Sequence, residues 1–289
     1  MYTTISFPSL GLSMDPGRYL DVFGFKVYYY GIIIAFGLVL AFIYGMRRCK
    51  QFGIKQDDIL DGVVWIVPVA VLCARLYYCI FAWEEGGYGK DLLSIFAFRD
   101  GGLAIYGGVI GAVVCVIFYC RKRKISLFAA MDLVVLGFLI GQSVGRWGNF
   151  FNREAFGAAT DSFLKMGLYN TATGMVEYHH PTFLYESLWN AVGLAALHFL
   201  SKRRQYDGQL ALGYGAWYGL GRMWIEGLRT DSLYWGPFRV SQVLAAISFV
   251  VCAAILIWQA FRPHDRAKLF VNRVATQETT ETKKKRKKK

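Results

Sequence analysis

The stretch GQSVGRWGNFFNREAFG, residues 141–157, closes an apolar run with Arg146, Asn149, Asn152, Arg153 and Glu154. An arginine presents a planar fork of donors that suits phosphate, and carboxamides add neutral donors without further charge. Gly145 and Gly148 flank the arginine, where glycine can end a helix and bring backbone N–H groups to a ligand. The plainer reading is a capped helix end with a snorkelling arginine. A second set, Tyr218, Arg222 and Glu226, is spaced i, i+4, i+8 and so shares one helical face. Arg222 and Glu226 either lower each other's insertion cost or present an oriented guanidinium to a ligand. The two readings are compatible. Gly215 and Gly219 on a neighbouring face predict the close approach of another helix.

These residues sit among long apolar blocks. The chain has 289 residues, 55% hydrophobic and 17% aromatic. A bilayer core of ~30 Å needs about 20 apolar residues per helix. Seven blocks qualify, at 27–46, 62–83, 103–120, 127–147, 182–200, 209–228 and 241–261. The expectation is an all-α integral membrane protein with seven transmembrane helices. Of the 33 lysines and arginines, 22 fall in loops on one side and in the tail, which predicts that side as cytoplasmic. The N-terminus is then outside and the C-terminus inside. Residues 1–26 form an external arm, 27–261 the seven-helix body, and 262–289 a basic tail expected to be largely disordered. The tail suits anionic membrane lipid better than nucleic acid. The first apolar run lacks a basic stretch before it, so no cleavable signal peptide is expected.

With this topology, polar residues from most spans converge near the outer leaflet. Tyr28 to Tyr30 open the first span, Tyr106 lies early in the third, and Arg146 to Glu154 leave the fourth. His179 and His180 precede the fifth span, and Arg222 and Glu226 occupy the outer half of the sixth. Arg75 is past the middle of the second, and Asp132 alone is near the cytoplasmic end. An ionisable side chain inside a span costs about 2.5–3.5 kcal/mol on insertion scales, so such a collection marks a site. The segment DLLSIFAFRDGG, 91–102, reads as an amphipathic stretch on the outer surface. The six cysteines show no CxxC pairing, and no P-loop or dinucleotide fingerprint is present.

The chain resembles the prolipoprotein diacylglyceryl transferase family along nearly its whole length. The resemblance rests on GRWGNFFNREAFG, on YYGIIIAFG, CARLYYCIF and DGGLAIYGG, and on HPTFLYE (180–186) and YGLGRMWIEGLR (218–229). It implies a seven-helix body with a small external head at about 150–181. It also implies a bacterial inner-membrane enzyme with its active site near the outer leaflet, and no metal or cofactor. The implied reaction moves the diacylglyceryl group of phosphatidylglycerol to the lipobox cysteine thiol of a prolipoprotein signal peptide. A thioether forms and glycerol 1-phosphate leaves.

By position, the resemblance assigns Arg146, Asn149, Glu154 and Gly157 from the signature, and Tyr30, Tyr218, Arg222 and Glu226 from elsewhere. Arg146 and Arg222 would clamp the leaving phosphate, with Asn149 and Tyr30 as supporting donors and Glu154 and Glu226 orienting the arginines. Some members have histidine at the position of Tyr106, and tyrosine is a poor base at neutral pH. Either Tyr106 acts by hydrogen bonding, or the base is elsewhere, or no strong base is needed. His180 either takes the thiol proton or caps the fifth helix. Phe183 stands where glutamine is common, a difference read as packing. The rival from another class is a transporter or flippase for an anionic lipid or solute, although no internal repeat supports it.

Overall fold

The computed structural model describes residues 2–286, apart from 85, 87, 90, 98–100, 231 and 232. Phe98 to Asp100 of the expected amphipathic stretch, and the basic residues Lys90, Arg99 and Lys287 to Lys289, therefore lie outside the described residues. The chain forms two compact units, Met1–Gly45 with Met131–Arg266, and Met46–Ala130 with Ala267–Lys289.

In chain order the elements begin with β1 (Tyr2–Phe7), β2 (Leu12–Met14), β3 (Tyr19–Val22) and β4 (Phe25–Tyr28). Four long helices follow: α1 (Tyr29–Arg48), α2 (Gln56–Phe81), α3 (Ile105–Arg123) and α4 (Leu127–Asn152). Next come β5 (Met166–Asn170), β6 (Met175–His179), α5 (Thr182–Ser201) and α6 (Gln209–Leu228). The short strands β7 (Tyr234–Trp235) and β8 (Phe238–Arg239) lead into α7 (Val240–Ala260) and α8 (Phe270–Arg286). Helices α1, α2, α3, α4 and α7 are long and apolar enough to cross a membrane, as an integral membrane protein requires. Helices α5 and α6 are each 20 residues long but are not apolar enough over their length to join them. The difference lies in Glu186, Asn190 and His198 on α5 and Arg222 and Glu226 on α6.

The expectation of a purely helical chain is corrected in the first unit. The arm and the head segment build a four-stranded antiparallel sheet in the order β2-β1-β5-β6. Ile5 faces Leu168, and Gly167 faces Tyr178. The cause is a small shared core: Ile5, Phe7, Met166 and Leu168 from the sheet bury against Phe150 of α4 and Phe183 of α5. Phe183 packs at 5.0 Å from the Phe150 ring and 5.4 Å from Trp147. At the sheet edge Tyr2 donates to Glu177 at 2.7 Å, and Asn170 donates to the same carboxylate at 2.8 Å.

Close helix packing in this unit rests on small residues. A Cβ on Gly219 would lie 2.7 Å from the Ala245 carbonyl of α7. Helices α5 and α6 exchange indoles: Trp189 Nε1 donates to the Trp217 carbonyl at 3.0 Å, and Trp217 Nε1 to the Trp189 carbonyl at 2.9 Å. Their rings stack at 4.3 Å. Asp132, fully buried on α4, accepts from the backbone N–H groups of Gly208, Leu210 and Ala211 at 2.9–3.0 Å, which caps α6. Arg204 adds an ion pair at 3.3 Å.

In the second unit, buried Arg75 of α2 donates to the carbonyls of Ser94, Ile95 and Gly101 at 2.7–2.8 Å. This fastens Ser94, Ile95 and Gly101 to α2, so Arg75 is occupied with structure. The tail, expected to be disordered, is helical over α8. Its start is seated against the turn at Gly53 (φ +75°), where a Cβ would lie 2.7 Å from Val271 Cα. Leu269 is buried just before it, and Thr276, Thr279 and Thr280 bond back to carbonyls one turn earlier.

Two outcomes follow from the buried and the sheet-edge carboxylates. Asp132→Ala removes the acceptor of three N–H groups and one of the carboxylates paired with buried Arg204, a loss of about 3–5 kcal/mol for a broken buried pair. Thermal unfolding in detergent should show a correspondingly lower midpoint. The Tyr2 hydroxyl, and then Asn170, hold Glu177 below the ordinary glutamate value of 4.5. A depressed carboxylate stabilises the fold above that value, and the gain is lost as pH falls through the lower folded value. Hydrogen-exchange protection of β5 and β6 should therefore drop as the pH falls below 4.5, and Glu177→Gln should remove that dependence.

Candidate active site

The C-terminal ends of α4 and α6 and the start of α5 meet around one carboxylate. Glu186 on the first turns of α5 is 4% exposed. Its Oε1 lies 2.9 Å from Arg222 Nη1 and 3.5 Å from Arg229 Nη1, and its Oε2 lies 2.6 Å from Arg146 Nη2. The last approach is close but poorly directed, so charge rather than a linear hydrogen bond holds it. Arg222 also reaches Glu226 Oε2, one turn on, at 2.5 Å. Three guanidinium groups thus surround two buried carboxylates. The guanidinium groups of Arg146 and Arg222 each carry five N–H donors, more than these contacts use. The arginine side chains are 11–22% exposed, against 3–4% for the carboxylates. An anionic group reaching the cluster meets donors first and carboxylates behind them.

The sequence places each part locally. Helix α4 runs on through Arg146 to Asn152, so Gly145 and Gly148 do not end it. Gly148 instead makes room for Tyr30, whose Cδ2 would be 2.7 Å from a Cβ there. Tyr30 is therefore held against α4 within a turn of Arg146. Arg146 donates to Asn149 Oδ1 at 3.4 Å, Asn149 donates to Glu154 at 3.0 Å, and Asn152 donates to Glu154 at 3.3 Å. Among the described residues Glu154 pairs with no arginine, and its hold on Arg146 passes through Asn149. Tyr218 stacks on Tyr214 at 5.5 Å and lines, with Glu186, Asn190 and Arg222, a small cavity of about 10 Å³.

Gly157 lies at the junction of three elements. Its N–H donates to the His180 carbonyl at 2.9 Å, and the next N–H, of Ala158, donates to the Leu228 carbonyl at 2.7 Å. A Cβ there would meet His180 Cβ at 2.7 Å and the Leu228 carbonyl at 2.9 Å. This stitching carries Arg229 to the cluster. The His180 side chain does not cap α5, whose first turn follows Pro181 with no side-chain cap. Its Nδ1 faces the Tyr185 hydroxyl at 3.4 Å. Tyr106 belongs to the other unit, in the first turn of α3, and is 67% exposed. The described residues contain no group of three His, Cys, Asp or Glu that could hold a metal ion.

Two members of the cluster escape a reading of the sequence. Glu186 ends HPTFLYE, and its signal is a lone carboxylate near the start of an otherwise apolar span. Arg229 closes YGLGRMWIEGLR and reads as a loop charge.

The family model for prolipoprotein diacylglyceryl transferase matches residues 18–258. The chain belongs to that family. A phosphatidylglycerol--prolipoprotein diacylglyceryl transferase of Enterococcus faecalis is 41% identical over 253 residues, covering 84% of this chain and 90% of the relative. The enzyme of that name from Limosilactobacillus reuteri is 41% identical over 241 residues, covering 81% and 87%. The one from Listeria monocytogenes is 40% identical over 252 residues, covering 85% and 90%. The matched residues include Arg146, Glu186, Arg222, Glu226 and Arg229. The transport reading gains nothing from these comparisons.

The cluster has a thermodynamic signature. Glu186→Ala leaves three guanidinium groups against one carboxylate and should cost about 3–5 kcal/mol. The double change Glu186→Leu with Arg222→Met removes charge of both signs and should cost less than Glu186→Ala alone. Unfolding midpoints of the variants in one detergent give the order.

Proposed function

We propose that the chain transfers the diacylglyceryl group of phosphatidylglycerol to the cysteine thiol of a prolipoprotein, the first step of lipoprotein maturation. The observation that carries this reading is the ring of Arg146, Arg222 and Arg229 around buried Glu186. The family and its relatives' names support the same reaction. The setting is a bacterial inner membrane crossed seven times, with N-terminus outside, C-terminus inside, and the cluster at the outer headgroup level. Helices α5 and α6 supply the two spans whose polar groups lower their hydropathy.

In the proposed step the thiol sulfur attacks the glycerol carbon that bears the phosphate. The carbon–sulfur bond of a thioether forms as the carbon–oxygen bond breaks, and glycerol 1-phosphate leaves with the bridging oxygen. Negative charge grows on that phosphate, so fixed cationic donors stabilise the transition state more than the bound lipid. Glu186 and Glu226 hold the guanidinium groups in place before the lipid arrives, which avoids reorganisation during reaction. Asn149 and Tyr30 add donors beside Arg146. The thiol proton passes to the aqueous face. A free thiol has a pKa of about 8.5, and neighbouring cations favour its thiolate, so no strong side-chain base is required. Such a mechanism accommodates tyrosine at position 106.

The test uses the full chain with phosphatidylglycerol vesicles and a lipobox peptide bearing either cysteine or serine. Mass spectrometry should show a diacylglyceryl addition to the cysteine peptide alone, with glycerol phosphate released in equal amount. Arg146→Ala and Arg222→Ala should each lower kcat by about 10²–10³-fold, the usual effect of losing one transition-state donor. No addition by folded wild-type protein would overturn the proposal.

A further inference from the structure

The signature loop that follows α4 is wound in an unusual way. Arg153 (φ +54°) and Ala155 (φ +54°) both adopt the left-handed conformation. At such a helix end glycine is the usual residue, because it alone carries no Cβ. Here an arginine occupies the position and its side chain is buried. Its fork is spent on the N-terminal arm: Nε on the Thr3 carbonyl, and Nη2 on Asp15 Oδ1 at 2.8 Å and the Pro16 carbonyl at 2.5 Å. Nη1 returns to the Phe151 carbonyl at 3.0 Å.

The arm grips the other end of the same loop. Tyr2 donates to Glu177, whose Oε2 lies 3.6 Å from His179 Nε2, and His179 Nδ1 lies 3.0 Å from the Gly157 carbonyl. The Phe156 ring is held between Tyr2 at 5.3 Å and His179 at 4.5 Å. Between the two grips stands Glu154, which fixes the Asn149 carboxamide that accepts from Arg146. The family match begins at residue 18, so residues 2–16 precede it.

We infer that the N-terminal arm, residues 2–16, is a positioning element for the signature loop, acting through Arg153 at one end and His179 at the other. Arg153 and His179 are positioning residues: they set Glu154 and Asn149 and so the direction in which Arg146 points. This inference rests on the proposed transfer reaction for its kinetic consequence, but not for its structural one.

The experiment compares the wild-type chain with Arg153→Gly, Arg153→Lys and Asp15→Asn in phosphatidylglycerol nanodiscs with the cysteine lipobox peptide. Arg153→Gly accepts the left-handed backbone and removes only the grip. It should lower kcat at least tenfold, leave both KM values within about twofold, and raise hydrogen exchange at the Glu154 and Gly157 amides at least tenfold. Its unfolding midpoint should fall less than that of Asp132→Ala, because the partner Asp15 lies in water and glycine is unstrained at that φ. Arg153→Lys keeps the charge without the fork and should recover part of kcat. Unchanged kcat and exchange in Arg153→Gly would overturn the inference, as would a loss of rate that only tracks the unfolded fraction. If wild type transfers nothing, the proposed reaction fails, and the exchange at Glu154 and Gly157 still decides whether the arm positions the loop.

Discussion

The burial of Glu186 governs how the ends of α4, α5 and α6 are arranged in the first unit. A carboxylate removed from water must be matched by cations and donors, or the fold loses several kcal/mol. Arg146, Arg222 and Arg229 supply that match from α4, from α6 and from the residue that ends α6. Because one side chain needs all three, the three helix ends cannot drift apart without exposing charge. The same requirement that stabilises the cluster also aims the arginines. A site that must stabilise a departing phosphate gains from guanidinium groups that are already fixed before the anion arrives.

The rest of the first unit can be understood as meeting that constraint. Tyr30 fits only because Gly148 has no side chain, and α6 reaches α7 only because Gly219 has none. Ser143 and Ser187 exchange hydroxyl bonds with each other's carbonyls at 2.8 Å, joining α4 to α5 just below the charges. At the opposite end Asp132 does for α6 what Glu186 does for the arginines, giving the helix a buried negative charge at its positive terminus. The two ends of α6 are thus fixed by carboxylates that come from neighbouring helices.

Much of this was legible in the sequence, and the rest was hidden for identifiable reasons. The long helices were readable because a bilayer imposes a length, and the observed bounds of α5 and α6 differ from the expected ones by a residue at most. Arg146, Arg222 and Glu226 stood out because charge in an apolar block is costly. The sheet was not readable, since β1 pairs with β5 more than 150 residues away and neither strand is long. Gly145 and Gly148 suggested a helix end, yet Trp147, Phe150 and Phe151 pack well enough to continue the helix to Asn152. Glu186 was hidden by its company, one acidic residue amid aromatic and aliphatic ones. Its importance depends on three partners that only the fold brings together.

The exchanged indoles of Trp189 and Trp217 have a consequence for the membrane in which the protein works. Each tryptophan donates to the backbone of the other, so sliding α5 along α6 by one turn, ~5.4 Å, would break both bonds at once. Helices that can slip past one another adapt to thin or thick bilayers by shear. This pair cannot, and in the proposed seven-span arrangement a mismatch in thickness must be taken up by tilting the pair as a body or by the lipid itself. The distance between Glu186 and Arg222 is thereby insulated from the lipid composition around it.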